Sequence, residues 1–137
     1  RYSFVAKLKA DDAAAGDYFG KSVEIEDGVV AIGACAPPGI EPSGGEAVYI
    51  FHASDDGLTY SQVAKLTAAD GVAGDRFGQS LAMDGGTIVV GAMRDEDAGN
   101  RTGSVYVFSP ETPALESDST RRAGPLLALL VVAATVL

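Results

Sequence analysis

The chain has 137 residues, 17 of them glycine and none tryptophan, with 19 acidic against 10 basic side chains and a formal net charge of −9. That length suits one modest domain, and the acidic balance repels a polyanion, which argues against nucleic acid as a partner. A single cysteine, Cys35, rules out an internal disulfide, and a single histidine, His52, rules out a His-based triad or a multi-histidine zinc site within the chain.

In chain order, YSFVAKL over residues 2–8 predicts a strand near 3–8. Ser22, Glu24 and Glu26 then alternate with Val23 and Ile25, the period-2 signature of a strand with one buried face, placed near 20–26. Asp27-Gly28 follows as a two-residue hairpin turn that tolerates positive φ. VVAIGA near 29–34 is apolar almost throughout, as in a strand buried on both sides. After a longer loop comes AVYIF near 47–52, and Ser54-Asp55-Asp56-Gly57 turns the chain into YSQVAKL near 60–66. SLAMD near 78–84, the Gly85-Gly86 turn, TIVVGA near 87–92 and SVYVF near 103–109 complete the set. The expected core comprises Phe19, Val23, Ile25, Val30, Ile32, Tyr49, Phe51, Leu66, Phe77, Leu81, Ile88, Val90, Tyr106 and Phe108, with exposure allowed near either end where neighbouring blades are lacking.

The second half repeats the first. Residues 5–34 slide onto 63–92 at a shift of 58 without a gap, and 15 of the 30 pairs are identical. AVYIF then matches SVYVF at a shift of 57, so the intervening loop has lost one residue. A four-stranded antiparallel meander repeated in tandem at this period describes blades of a β-propeller. The fold class expected is all-β: a propeller fragment, with a C-terminal apolar helix or tail.

The unit KL-x-A-x-D-x-x-A-G-D-x-F-G-x-S, a hairpin, V-G-A, a loop and V-Y-V-F resembles the FG-GAP repeat, best known from integrin α subunits. Its elements here are Phe19-Gly20 with Gly33-Ala34 and Phe77-Gly78 with Gly91-Ala92. The resemblance covers roughly residues 2–109, with copies at about 4–51 and 62–108 inside a repeat region of 1–109. Two departures stand out: Cys35 and Met93 occupy the place of the motif's proline, and the interval between FG and GA holds one aspartate per copy, Asp27 or Asp84. Integrin-type repeats carry an aspartate-rich calcium loop there, so the resemblance implies a calcium-poor variant. In such a blade Gly20, Gly33, Gly78 and Gly91 allow close backbone approach, Phe19 and Phe77 pack between blades, and Asp17 and Asp75 accept hydrogen bonds from turn amides.

Few side chains offer chemistry. Asp95-Glu96-Asp97-Ala98-Gly99-Asn100 is the most metal-like stretch, with Asp95, Asp97 and Asn100 as the candidate calcium ligands. Its order does not follow an EF-hand, and the first copy has Pro37-Pro38-Gly39-Ile40-Glu41 instead, so a solvated acidic loop is the expectation and no cofactor is assigned. His52 reads as a surface or turn residue, Cys35 as a small buried hydrophobe, and Ser22, Ser80 and Ser104 as structural serines. Glu24 and Glu26 read as a solvated strand face rather than a carboxylate pair for glycoside hydrolysis. No catalytic residue is expected in this chain.

After Phe108 the composition changes. Residues 110–123 read as a flexible stalk rich in Pro, Ser, Thr and Glu, and 124–137 as a hydrophobic membrane-anchor or GPI-signal segment. The twelve residues 126–137, apolar apart from Thr135, would span about 18 Å as a helix, short of the ~30 Å hydrocarbon core. The combined reading is a non-catalytic extracellular binding or adhesion module, membrane-anchored at the cell surface, with an extracellular protein or glycan as ligand and further blades upstream. Its rival is an accessory propeller region of a larger secreted or surface hydrolase.

Overall fold

The computed structural model describes residues 1–40, 45–111 and 131–135, the last as backbone alone. Eight strands run in chain order: β1 Phe19–Glu26, β2 Val29–Ala34, β3 Ala47–Ala53, β4 Tyr60–Leu66, β5 Phe77–Asp84, β6 Thr87–Ala92, β7 Ser104–Pro110 and β8 Val131–Thr135. They form two antiparallel meanders, β1-β2-β3-β4 and β5-β6-β7-β8, with no helix among the described residues. Alternating side chains and positive-φ turns produce this directly. Asp27 and Gly28 have φ of 49° and 79°, and Gly85 and Gly86 58° and 86°, the left-handed pair a tight hairpin needs to follow the strand twist.

The repeat extends to irregularities. Pairing between β1 and β2 shifts between Phe19 and Ser22, and that between β5 and β6 between Phe77 and Ser80. Both shifts centre on a glycine of left-handed backbone, Gly20 (φ 95°) and Gly78 (φ 91°). The residue just before each Phe-Gly is left-handed as well, Tyr18 at 53° and Arg76 at 71°. A bulge of this kind bends the innermost strand and re-aims its side chains.

The sheets meet through the far face of the first and the near face of the second. Ala31, Val48, Ile50 and Leu66 pack against Phe77, Ile88, Val90, Tyr106 and Phe108 in one buried cluster. Phe77 lies edge-on to Tyr106 and Phe108 at centroid distances of 5.4 and 6.0 Å, and Phe19 repeats this with Tyr49 and Phe51 at 5.5 and 6.2 Å. Each such ring contributes roughly 1.5–3 kcal/mol by burial. Four hydrogen bonds tie the seam. The Ser22 hydroxyl donates to the Gly78 carbonyl at 2.7 Å, the Gly86 amide donates to Glu26 at 3.2 Å, and Glu46 accepts from the Arg76 and Phe77 amides at 2.9 and 3.1 Å.

The structure corrects three expectations. Residues 2–8 form no strand: Tyr2 and Phe4 are exposed, and no strand edge stands beside them among the described residues. Val23 and Ile25 are 65% and 60% exposed, while their counterparts Leu81 and Met83 pack on the inter-sheet core. The first sheet's near face has no sheet in front of it, and Ser22, Glu24 and Glu26 are the half-buried side of β1 instead. At the other end, Val131–Thr135 is not helical; it pairs antiparallel with β7 as the fourth strand of the second sheet. The stalk, apart from residues 110 and 111, and positions 124–130 lie outside the described residues. Phe51 and Leu66, central to the expected core, are buried.

A Cβ on Gly33 would run into the Gly78 carbonyl oxygen and the Ser22 hydroxyl, and one on Gly78 would sit 2.9 Å from the Ala47 carbonyl oxygen. Because backbone atoms cannot swing aside, Gly33→Ala is expected to lower unfolding free energy by at least about 2 kcal/mol. Gly20→Ala, in open space, carries only the left-handed backbone penalty of about 1–2 kcal/mol. Urea midpoints at unchanged slope measure both, and equal losses at the two positions would contradict the close approach.

Candidate functional site

Antiparallel pairing sorts the connections by length. Tight turns at 27–28, 54–59 and 85–86 share one rim of the sheets, and the long connections at 35–46, 67–76 and 93–103 share the other. The long-loop rim gathers most of the unusual polar chemistry. Asp17 and Asp75 open it by accepting the Ala14 and Val72 amides at 2.9 and 3.0 Å, the turn role expected of them.

On the first sheet, Asp12 accepts the Tyr49 hydroxyl at 2.8 Å and the Lys65 ammonium at 2.6 Å, and Lys65 also lies 5.4 Å from the Tyr49 ring centroid. Lys65 stands directly opposite Tyr49 in the β3–β4 register, which is what brings its ammonium to the carboxylate. Hydrogen bonds from Lys65 and then Tyr49 hold Asp12 below the ordinary carboxylate range, and the Asp12 contact raises Lys65. Ion pairs at this exposure stabilise little, so the trio mainly fixes orientation.

On the second sheet the counterpart trio is acidic. Asp70 accepts the Tyr106 hydroxyl at 2.8 Å, and Asp95, fully buried, lies 3.2 Å from the same hydroxyl. The other Asp95 oxygen accepts the Asp97 amide at 2.9 Å, and its carbonyl accepts the Gly103 amide at 2.9 Å. The Ser104 hydroxyl is the strongest influence lowering Asp95, followed by the Asp97 amide. Asp97 moves the other way, raised first by its hydrogen bond with Asp70 and then by the Asp95 charge. Burial and these carboxylates push the Tyr106 phenol far up. Thr135 occupies the register position opposite Tyr106 where the first sheet has lysine.

Of the candidate calcium ligands, Asp95 and Asp97 come together through a backbone contact, while Asn100 lies exposed farther along the loop. One Asp95 oxygen accepts the Asp97 amide, and the Ser104 hydroxyl also bonds the carboxylate. Among the described residues no group of three or more His, Cys, Asp or Glu is placed to hold a metal. Cys35 is buried, and burial raises its thiol pKa, so it is a poor nucleophile. His52 is half-buried beside the tight-turn rim, and Ser22 serves the seam. Sequence reasoning missed Asp12, Glu46, Tyr49, Lys65, Asp70 and Tyr106 as members of polar clusters. The repeat alignment carried a signal for four of them, since Asp12 matches Asp70 and Tyr49 matches Tyr106.

Two consecutive four-stranded antiparallel meanders, packed together through a backbone clamp between Gly33 and Gly78, define a propeller-type repeat module. A family model described as FG-GAP repeat matches residues 2–51 and 60–108, and the chain belongs to that family. Neither a curated protein nor a solved structure matches it.

The acidic loop sets a pH dependence of known sign. Asp95 is depressed in the folded state, so its contribution is complete above the unfolded carboxylate value near ~4 and disappears as pH falls through its folded pKa. Asp97 is raised, so protonation favours the fold and its contribution is lost as pH rises. Asp95→Asn is expected to be less stable than the parent at pH 7, with the difference shrinking at pH 3, whereas Asp97→Asn at pH 7 equals or exceeds the parent. Urea unfolding at both pH values checks this; matching profiles for the two variants would refute the assignment.

Proposed function

We propose that this FG-GAP module is a non-catalytic binding or adhesion element at the cell surface, with the long-loop rim as its contact surface and an extracellular protein or glycan as its ligand. The observation that carries this reading is the gathering of the 35–46, 67–76 and 93–103 connections on one rim, where Asp12 and Asp70 are each held by a tyrosine hydroxyl and Asp95 by the Asp97 amide. Loops on a rigid sheet scaffold are where binding residues gather, and an acidic rim on a chain of net charge −9 favours a basic patch on the partner. Binding is proposed to proceed without calcium, since the Asp95 carboxylate is already engaged by the Asp97 amide and the Ser104 hydroxyl.

Surface anchoring is proposed through residues 124–137. Val131–Thr135 cannot both pair with β7 and enter a bilayer, so anchoring or GPI processing would release that strand from the sheet edge. No helix among the described residues is long and apolar enough to cross a membrane.

The test uses the purified chain on an array of extracellular matrix proteins and glycans. Binding is expected to weaken at least ~10-fold when Glu96 and Asp97 are changed to Lys, and to survive Asp55→Lys with Asp56→Lys on the opposite rim. Equal loss from both pairs, or no binding to any probe, would reject the rim as the contact surface. In the same experiment, added calcium leaves the affinities unchanged if binding is metal-independent.

A further inference from the structure

We propose that Asn100 is an N-glycosylation site, its side-chain amide taking an oligosaccharide from a lipid-pyrophosphate donor during export of the chain. The modification rests on the cell-surface part of the reading above, because donor and transferase are met on an export route. It does not depend on what the loop rim binds.

Asn100 is the one asparagine in the chain, and it opens Asn100-Arg101-Thr102, the N-x-[ST] acceptor pattern without an intervening proline. The pattern alone is a weak signal. With 10 serines and 7 threonines in 137 residues, chance completes it after about one asparagine in eight. The structure of the loop supplies the weight.

Two physical reasons ordinarily place an asparagine in a turn: it tolerates left-handed backbone, and its side chain bonds nearby backbone groups. Neither holds at position 100. The left-handed residue of this turn is Arg101, at φ 55°, while Asn100 does not have positive φ. Asn100 is exposed and makes no hydrogen bond among the described residues. The repeat does not call for it either. At the shift of 57 the first copy has Ser43 in its place and Gly45 in place of Thr102.

The loop closes without help from Asn100. The Asp95 carboxylate accepts the Asp97 amide and its carbonyl accepts the Gly103 amide, both at 2.9 Å, and the Gly99 amide donates to the Glu96 carbonyl at 3.0 Å. These bonds tie off both ends of the loop and leave residues 96–102 exposed. A sugar on Asn100 therefore displaces no packed side chain and breaks no hydrogen bond of the fold. Surface loops of this kind are where a bulky, solvated group is tolerated.

The transfer step is redox-neutral. A bond forms between the Asn100 amide nitrogen and the anomeric carbon of the donor's first sugar, and the bond from that carbon to the pyrophosphate oxygen breaks. The nitrogen gives up one proton to a base, and the lipid pyrophosphate departs. The Thr102 hydroxyl is the feature by which a transferase recognises the acceptor. In the folded loop that hydroxyl turns inward to the Gly99 carbonyl at 3.3 Å, beside the left-handed Arg101. Transfer therefore belongs before the loop closes, and the closed loop then carries the sugar outward.

The test sends the full chain through the export route of a eukaryotic cell behind a cleavable leader and reads its mass before and after peptide N-glycosidase. The parent is expected to gain mass that the enzyme removes, leaving an aspartate at position 100. That gain is expected to vanish in Asn100→Gln and in Thr102→Ala, and to persist in Thr102→Ser. Two variants at different residues keep the result from resting on the folding of either one. An exported parent without the gain, or a gain that survives Asn100→Gln, overturns the site. The surface reading is tested separately, by peptide mapping of the chain recovered from the cells that make it. A glycan on Asn100 there supports both. A bare Asn100 there, with the leader-directed chain glycosylated, rejects the surface reading and with it the modification in the cell.

Discussion

The backbone of β2 and the backbone of β5 approach so closely at Gly33 and Gly78 that no side chain fits between them, and the rest of the arrangement follows from that contact. The Ser22 hydroxyl, pressed into the same space, holds the Gly78 carbonyl that the bulge has turned outward. With the inner strands pinned, Phe77 is set where it meets Tyr106 and Phe108 of its own sheet and the Val48 and Ile50 face of the other. The residues that define the repeat in sequence, Phe-Gly, Ser and Gly-Ala, are thus the two halves of one clamp supplied by successive units. Within each sheet the Phe packs on two aromatic rings and the Ser faces the Gly of the neighbouring strand, and between sheets the same residues close the clamp.

The electrostatics show how one scaffold yields two different environments. Tyr49 and Tyr106 occupy equivalent places, each donating to an aspartate from the preceding loop. Lysine on the neighbouring strand makes the first a neutral trio, and its replacement by threonine, with Asp95 and Asp97 arriving from the β6–β7 loop, makes the second an acidic well. Burying Asp95 is tolerable because the Asp97 amide and the Ser104 hydroxyl bond its carboxylate and the Gly103 amide bonds its carbonyl. The loop owes its shape to that carboxylate more than to any apolar contact.

Strand positions, hairpin turns and the repeat were legible because each is local: period-2 alternation, Asp-Gly and Gly-Gly pairs, and a shift of 58 need no knowledge of neighbours. What the sequence could not reveal depends on which sheet stands beside which. Val23 and Ile25 carry the alternation of a buried face, yet their exposure is decided by whether a preceding blade is present. Residues 2–8 carry a strand sequence but lack an edge, and the apolar C-terminal segment found one on β7. The polar clusters escaped notice for a related reason, since Asp12 and Lys65, or Asp70 and Asp97, meet only after the loops fold over the strand ends. Glu46 belongs with them: nothing around it in sequence marks it as the group that holds the entry to β5.

Cys35 sits at the end of β2 with its sulfur 4.0 Å from the Glu46 carboxylate, buried in the same seam that Glu46 holds shut. A thiol reagent cannot reach that sulfur while the Arg76 and Phe77 amides are engaged, so its rate of modification is a clock for parting of the two sheets. The chain carries its own single reporter, needing no label or introduced residue, for how often neighbouring units separate while each remains folded.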